Sequence, residues 1–342
     1  MPHWLLKKWF LPVALMLSTT ACATTTTPVT GYTDAPAVQQ FIADMVARHD
    51  FDKAELDHVF SQARRRDDIL ELMSKPAEKK LAWFEYRKIF LTRSRIDGGV
   101  AFWRKNADIL AKAAQEFGVD AQIIVAIIGV ETRYGANTGR HRVLDALSTL
   151  AFDYPPRSKF FRSELEQFLL LAREEDIDLL TTRGSYAGAM GYGQFIPSSY
   201  RNYAVDFSGD GKRDLWGNQQ DIIGSVANYF HKHGWQAKAP VTTRANLTGN
   251  KFTAILEKGY KPNTLLPVMR ANGITAALPL PDDTLASLFM LEQQDGPEYW
   301  LGLKNFYVIT RYNHSPLYAM AAYQLSEEIR KAYAQEQQAN HD

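Results

Sequence analysis

The sequence predicts a mainly α protein of the α+β class, with an N-terminal helical part and a helical core that carries a small β-containing insertion. Apolar residues recur three and four apart between Val38 and about Glu116 (Phe41, Met45; Leu56, Phe60; Leu81, Phe84, Ile89), the spacing of one helix face. The run from Val119 to Gly135 is apolar on nearly every side, which marks a buried helix. From Pro240 to about Gln294 the pattern changes to short β-type runs, Val241-Thr242-Thr243 and Ser287-Leu288-Phe289-Met290-Leu291, separated by Gly, Asn and Pro.

The chain has 342 residues, 46% hydrophobic and 23% charged, enough for a substantial core and more than one folded unit. Its 39 basic and 38 acidic residues give a net charge of +1. Removal of residues 1–21 takes away Lys7 and Lys8 and no acid, which leaves −1. That balance excludes the basic footprint of a nucleic-acid binder, so no nucleic-acid partner is expected.

Lys7 and Lys8 precede an apolar run from Trp9 to Leu17 and then small residues ending at Ala21-Cys22, the layout of a signal peptide over 1–21. The run is about half of the ~20 residues that a spanning helix needs. Cys22 is the only cysteine, so it forms no internal disulfide. Thr19-Thr20-Ala21-Cys22 resembles a bacterial lipobox, with Thr19 where Leu is usual and Leu17 two positions earlier, and Cys22 is the expected lipid acceptor. The alternative is a plain secretory signal; both readings export the chain. Ala23 after the cysteine favours the periplasmic face of the outer membrane, with the membrane reached through the lipid.

Residues 22–37, rich in Thr and Pro, read as a flexible tether. Residues 38–116 read as a helical domain in which Asp52 and Glu55 form a capping box. Residues 117–236 hold the densest Gly, Tyr and polar motifs and are the expected core. The β-containing unit is placed at 237–297. Over 298–338 the core is completed by a helix with Ser315 as N-cap and Pro316 at its first position.

Within the apolar helix, Asp120 is the expected N-cap and Gly135 the expected stop. Glu131 falls in the last turn, on the face of Ile124, Ile127 and Ile128. Desolvation and the negative end of the helix dipole both disfavour its charged form and raise its pKa, as a general acid requires. The alternative is a Glu that reaches solvent or pairs with Arg133. The second motif is Gly184-Ser185-Tyr186-Ala187-Gly188-Ala189-Met190-Gly191-Tyr192-Gly193-Gln194-Phe195-Ile196-Pro197-Ser198-Ser199-Tyr200. Its glycines and alanines let a ligand approach the backbone, and Ser185, Tyr192 and Gln194 offer groups suited to sugar hydroxyls and acetamido groups. A tight packing turn is the bland alternative.

The runs GVETRYG, LSTLAFDYPPR, GSYAGAMGYGQFIPSSYRNYAVDFSGDG, DIIGSVANYFHKHGW and NFYVITRYNHS resemble the membrane-bound lytic murein transglycosylase B family over most of the exported chain. The resemblance implies a lysozyme-like α core and cleavage of the MurNAc–GlcNAc β-1,4 bond of peptidoglycan, leaving 1,6-anhydro-MurNAc ends. It implies Glu131 as the catalytic acid, and saccharide-binding roles for Ser185, Gln194, Phe195, Tyr229, Tyr312, Asn313 and Tyr318. Relatives can carry two consecutive arginines where this chain has Pro155-Pro156-Arg157, so Arg157 alone remains to meet a stem-peptide carboxylate or lactyl group. Expected partners are glycan strands and cell-wall synthases, and catalysis is expected to need no cofactor.

Ordinary glycosidases pair two carboxylates. If the muramoyl C6 hydroxyl attacks instead of water, one residue serves as acid and then as base. A hydrolytic muramidase in which Asp153 or another acid activates water is the rival enzyme, and a non-catalytic peptidoglycan-binding scaffold the rival outside catalysis. No G-x-S-x-G or H-E-x-x-H run is present, and His231 and His233 read as surface or packing histidines.

Asp206-Phe207-Ser208-Gly209-Asp210-Gly211-Lys212 matches the start of an EF-hand loop: Asp206, Ser208 and Asp210 as oxygen ligands, Gly211 at the sharp turn and the Lys212 carbonyl at position 7. Position 12 is Gly217, and the nearest acid able to close the shell is Asp221, a role that the resembling family gives to an Asp in a lengthened loop. A structural Ca²⁺ is expected there; an Asp/Gly turn holding only water is the alternative.

Overall fold

The computed structural model describes residues 32–74 and 81–339; the leader, Cys22 and the tether as far as position 31 lie outside the described residues. The chain opens with a 3-10 turn over Tyr32–Asp34 and three helices, α1 (Pro36–His49), α2 (Lys53–Gln62) and α3 (Asp67–Ser74). The expected tether therefore ends sooner than position 37. Tyr32 packs on Phe152 with ring centroids 5.7 Å apart and donates a hydrogen bond to Asp153, and Pro36 starts α1. Next come α4 (Trp83–Phe90), α5 (Arg93–Lys105), α6 (Ala107–Phe117) and α7 (Ala121–Thr132).

The middle of the chain holds β1 (His141–Arg142), α8 (Val143–Phe152), α9 (Ser158–Glu175), β2 (Arg183–Gly184), α10 (Pro197–Tyr203) and α11 (Gln219–Lys232). A β-rich segment follows: β3 (Thr242–Leu247), α12 (Thr253–Leu256), β4 (Thr264–Leu265), α13 (Leu266–Ala271), β5 (Ile274–Ala276), β6 (Leu285–Gln293) and β7 (Gly296–Gly302). Helices α14 (Lys304–Tyr312) and α15 (Pro316–Ala339) close the described chain.

Residues 38–116 do not share one core. Val38, Ile42 and Met45 of α1, Phe60 of α2 and Ile69 of α3 bury their side chains with Leu144, Leu147, Leu165 and Phe168 of α8 and α9. Trp83 of α4, Val100 and Phe102 of α5 and Leu110 of α6 bury theirs with α7, α11, α14 and α15. Helical periodicity reports that a helix has a buried face, not which partner covers it. The Asp52 side chain caps α2 by accepting the Glu55 N–H at 2.8 Å, and Ser315 Oγ accepts the Tyr318 N–H at 3.4 Å at the start of α15.

The larger sheet is antiparallel with strand order β4-β6-β7-β3-β5, and its long hairpin pairs Ser287 with Gly302 and Gln293 with Gly296. β7 thus carries the sheet past the expected edge at 297. Alternation along β6 divides its side chains between two cores. Ala286 and Leu288 join a small core of the β-rich segment. Phe289 and Leu291 join the large helical core, where Phe289 stacks on Phe306 of α14 at 4.5 Å. The β-rich segment is in this way fastened to α14, the helix that leads to Tyr312.

Candidate active site

Helix α7 is buried almost throughout: Ile124, Val125, Ala126, Ile127 and Ile128 have no exposed surface. Asp120 occupies its N-cap without a side-chain hydrogen bond. The helix ends at Arg133 rather than at Gly135. Arg133 (φ 51°) and Tyr134 (φ 60°) are both left-handed, a conformation that costs non-glycine residues roughly 1 kcal/mol or more each. Packing enforces it. Tyr134 Oη donates to the Arg95 carbonyl at 2.7 Å, and the Arg95 guanidinium donates to the Gly129 carbonyl. A Cβ at Gly129 would lie 2.4 Å from Tyr134 Oη, so only glycine admits the ring.

Glu131 is presented at this rigid end. Burial pushes its carboxyl up to about 7, against an opposing hydrogen bond that Tyr318 Oη donates to Oε1 at 2.5 Å. Arg133 is exposed, and Glu131 turns to Tyr318 instead. Tyr318 is 3% exposed, and its own hydroxyl is held well above the ordinary phenol range by burial first and Glu131 second. Tyr312 and Tyr86 also feel the Glu131 charge, so three tyrosines from α4, α14 and α15 surround the carboxyl. Asp153, the candidate second acid of a hydrolase, is engaged by Tyr32 and Arg65 instead.

Thr132, fully buried, links the acid to the Gly-rich run. Its hydroxyl lies 3.0 Å from the Tyr192 carbonyl and 3.2 Å from that of Ile128, and accepts the Gly135 N–H at 3.0 Å. Met190 and Phe195 exchange backbone hydrogen bonds of 2.9 and 3.0 Å around a tight loop, and Tyr312 Oη donates to the Gly193 carbonyl at 2.5 Å. At Gly193 an added Cβ would sit 3.0 Å from that hydroxyl.

The predicted site residues separate into three groups. Phe195, Tyr229 and Tyr318 are buried, at 2%, 7% and 3% exposure. Phe195 and Tyr229 pack against Tyr312 with centroids 5.9 and 4.7 Å away. Tyr229 Oη donates to the Arg311 carbonyl at 2.6 Å. Ser185 and Gln194 are half-buried, and their polar groups shape the loop: Ser185 Oγ accepts the Ala187 and Ala189 N–H groups, and Gln194 Nε2 donates to Thr138 and Gly191 carbonyls. Asn313 is exposed beside Tyr312. Arg157 is not joined to this assembly by any of these contacts; its guanidinium lies over Phe160 at 4.4 Å and Phe161 at 5.2 Å. Of the two histidines, His231 is exposed and within 3.1 Å of the Phe117 carbonyl, whereas His233 stacks on Tyr229 at 4.1 Å. The sequence reading missed Tyr86, which in α4 is one more aromatic among apolar neighbours and carries no motif.

The loop after α10 gathers carboxylate oxygens of Asp206, Asp210 and Asp221 within 4.8 Å of one another. Backbone N–H groups, foremost that of Gly211, hold Asp206 below the usual carboxylate range. Asp221 is fully buried and accepts the N–H groups of Phe207, Ser208 and Asp214. Ser208 Oγ donates to Asp206, and the Lys212 N–H to Asp210. Gly211, at the sharp-turn position, has φ 89° with open space around it, so it is required for its backbone and not for room. Convergent hard oxygens of this kind fit Ca²⁺.

The sequence profile of the transglycosylase SLT domain family matches residues 33–327. The chain is 47% identical over 313 residues to membrane-bound lytic murein transglycosylase B of Escherichia coli (strain K12), covering 89% of this chain and 85% of that protein. The fold is similar to that of the E. coli lytic transglycosylase Slt35 in complex with calcium, with a TM-score of 0.81 at 48% identity over 89% of this chain and 95% of that one. It is also similar to Pseudomonas aeruginosa SltB3 in complex with NAG-anhNAM-pentapeptide, with a TM-score of 0.77 at 32% identity over 86% and 78% of the two chains. A profile spanning nearly all of the described residues, together with these identities, places the chain in the transglycosylase SLT domain family.

Proposed function

We propose that this chain is a peptidoglycan lytic transglycosylase that cleaves the MurNAc–GlcNAc β-1,4 bond and leaves 1,6-anhydro-MurNAc ends. The observation that carries this reading is the half-buried carboxyl of Glu131 at the end of α7, raised to about 7 by desolvation and bonded to a tyrosine rather than to a second acid. Protonated, Glu131 donates its proton to the leaving GlcNAc oxygen as the C1–O bond breaks. The muramoyl C6 hydroxyl then attacks C1 and returns a proton to the carboxylate. No water enters, and Glu131 ends as it began. The Gly-rich run, Tyr312, Asn313 and the backing aromatics Phe195 and Tyr229 form the saccharide groove. The anhydro sugar bound to SltB3 and the murein named for the E. coli relative support this substrate class.

The Asp206–Asp221 loop is read as a structural Ca²⁺ site in which Asp206, Ser208, Asp210, Asp221 and the Lys212 carbonyl are the ligands; the calcium complex of Slt35 supports it. Bound there, Ca²⁺ would stiffen the loop, and proton transfer is left to Glu131. Cys22 is read as a lipid anchor that places the enzyme on the periplasmic face of the outer membrane, a reading supported by the membrane-bound relative.

Mass spectrometry of sacculi digested by the wild type and by Glu131→Gln tests the reaction. Muropeptides one water lighter than hydrated ends are expected from the wild type and none from the variant. Hydrated reducing ends throughout would establish a muramidase instead.

A further inference from the structure

A cleft of about 540 Å³, whose lining includes neither Glu131 nor Tyr318, lies between the β-rich segment and α14. Lys261, Asp283, Lys304 and Tyr307 supply its polar walls, and Pro262 and Pro281 part of its apolar ones. Among the described residues neither lysine has an ion-pair partner. Lys304 also belongs to a larger cationic group. It and Arg311 both press the pKa of His233 down, after burial, and Arg311 donates to Tyr307 Oη at 3.3 Å. Lys304, Tyr307 and Arg311 are spaced i, i+3 and i+7, so they run along one face of α14. The next residue, Tyr312, is in the active site, bonded to Gly193. One helix thus joins a cationic cleft to the catalytic assembly, in a chain whose overall charge is only +1.

We propose that this cleft and the Lys304–Tyr307–Arg311 face bind the anionic stem peptide carried by the glycan, a substrate contact outside the saccharide groove. The proposal rests on the peptidoglycan reading above and gives it a peptide site besides the one expected at Arg157. From position 304 to 311 the helix rises about 10 Å, the reach of roughly three extended peptide residues. The glycan backbone is uncharged where its lactyl groups are amidated, so the carboxylates that match these cations are those of the peptide. Proline and tyrosine walls suit a peptide backbone, and Asp283 at the same cleft suits its amino groups while repelling a densely phosphorylated polymer.

The experiment titrates the full-length protein with free stem tetrapeptide and compares turnover on peptide-bearing sacculi with turnover on glycan strands stripped of peptide by an amidase. In Lys261→Gln/Lys304→Gln, peptide binding should weaken about fivefold, the size that two exposed charge pairs carry together. The ratio of turnover on peptide-bearing to stripped substrate should fall by a similar factor, and Lys304→Arg should restore most of it. Unchanged peptide binding in the double variant overturns the proposal, as does an equal loss on both substrates, which would mark a structural role. Inorganic phosphate that displaces the peptide at equal concentration overturns it in favour of a bare-anion site. A wild type that binds the peptide yet yields no anhydro ends refutes the lytic reading and leaves this site standing.

Discussion

Tyr318 and Glu131 lie 187 positions apart in the chain and share one hydrogen bond of 2.5 Å, donated by the buried phenol to Oε1 of the carboxyl. Burial raises the acid and this bond lowers it, so the bond sets how far above the ordinary range the carboxyl rests. Tyr318→Phe removes the bond. The acid should then titrate above 7, the alkaline limb of the rate profile should move to higher pH, and kcat should fall about tenfold, the worth of roughly 1.4 kcal/mol. A pH profile superimposable on that of the wild type would show that Tyr318 does not hold the acid.

The raised pKa also fixes the sign of two pH dependences. Glu131 must start protonated, so kcat/KM should be full below about pH 7 and decline above it. A folded pKa above the unfolded one contributes stability that is fully present below the ordinary glutamate value of 4.5 and is lost as pH rises through about 7. Glu131→Gln should therefore lose activity by about 10² to 10⁴ while gaining stability at pH 8, by about 3 kcal/mol at most. Denaturant melts of both proteins at pH 5 and pH 8 check it; a variant less stable at pH 8 than the wild type contradicts the raised pKa.

Thr132 is the step between Glu131 and the Gly-rich run. Thr132→Val keeps the shape of the side chain and removes the contact with the Tyr192 carbonyl and the acceptor for the Gly135 N–H. Stability should drop by about 1 to 2 kcal/mol, because half-buried backbone groups lose their partner. KM should rise with kcat nearly unchanged and the pH profile fixed, since the carboxyl itself is untouched. A shifted pH profile would assign Thr132 to the acid and not to the loop.

How much of this was legible in the sequence depends on the range of the interaction. Glu131 stood out because one acid sat among apolar neighbours, and the Asp206 loop because EF-hand ligands follow a fixed spacing. Both signals are local. The stop at Arg133 was hidden because its left-handed backbone is imposed by Tyr134 packing under Arg95 from α5, and local propensity points to Gly135 instead. Tyr86 was invisible for the same reason: only the crossing of α4 over α15 brings it to the acid. Ser185 and Gln194 read as sugar ligands, yet the hydrogen bonds that they make within the chain brace their own loop, a use that residue type does not separate from binding.

The anchor lies outside the described residues and is tested by fractionation. Cys22→Ser should move the protein from the membrane to the soluble periplasmic fraction, with unchanged activity on isolated sacculi, because the described fold begins at Tyr32. A variant that stays with the membrane would exclude a lipid at Cys22.

The Asp206–Asp221 loop is coupled to the Gly-rich run through Leu215, whose carbonyl accepts the Tyr192 N–H at 2.9 Å. Gly191, at φ 69°, leaves no room there: a Cβ would meet the Leu215 carbonyl oxygen at 2.6 Å. Loop order therefore reaches the Gly-rich run through the backbone. Ca²⁺ at a hundredfold excess over Kd should stabilise the fold by about 2.7 kcal/mol, a rise of a few degrees in Tm for a chain of this size. Asp210→Ala removes a hard oxygen ligand and the acceptor for the Lys212 N–H, so its Tm should start lower and should not respond to the ion. Activity at low temperature should persist in the variant, since Glu131 keeps its partner in Tyr318. A wild-type Tm in saturating Ca²⁺ equal to that in chelator would reduce the loop to an Asp/Gly turn, stabilised by the N–H groups that Asp206 and Asp221 already hold.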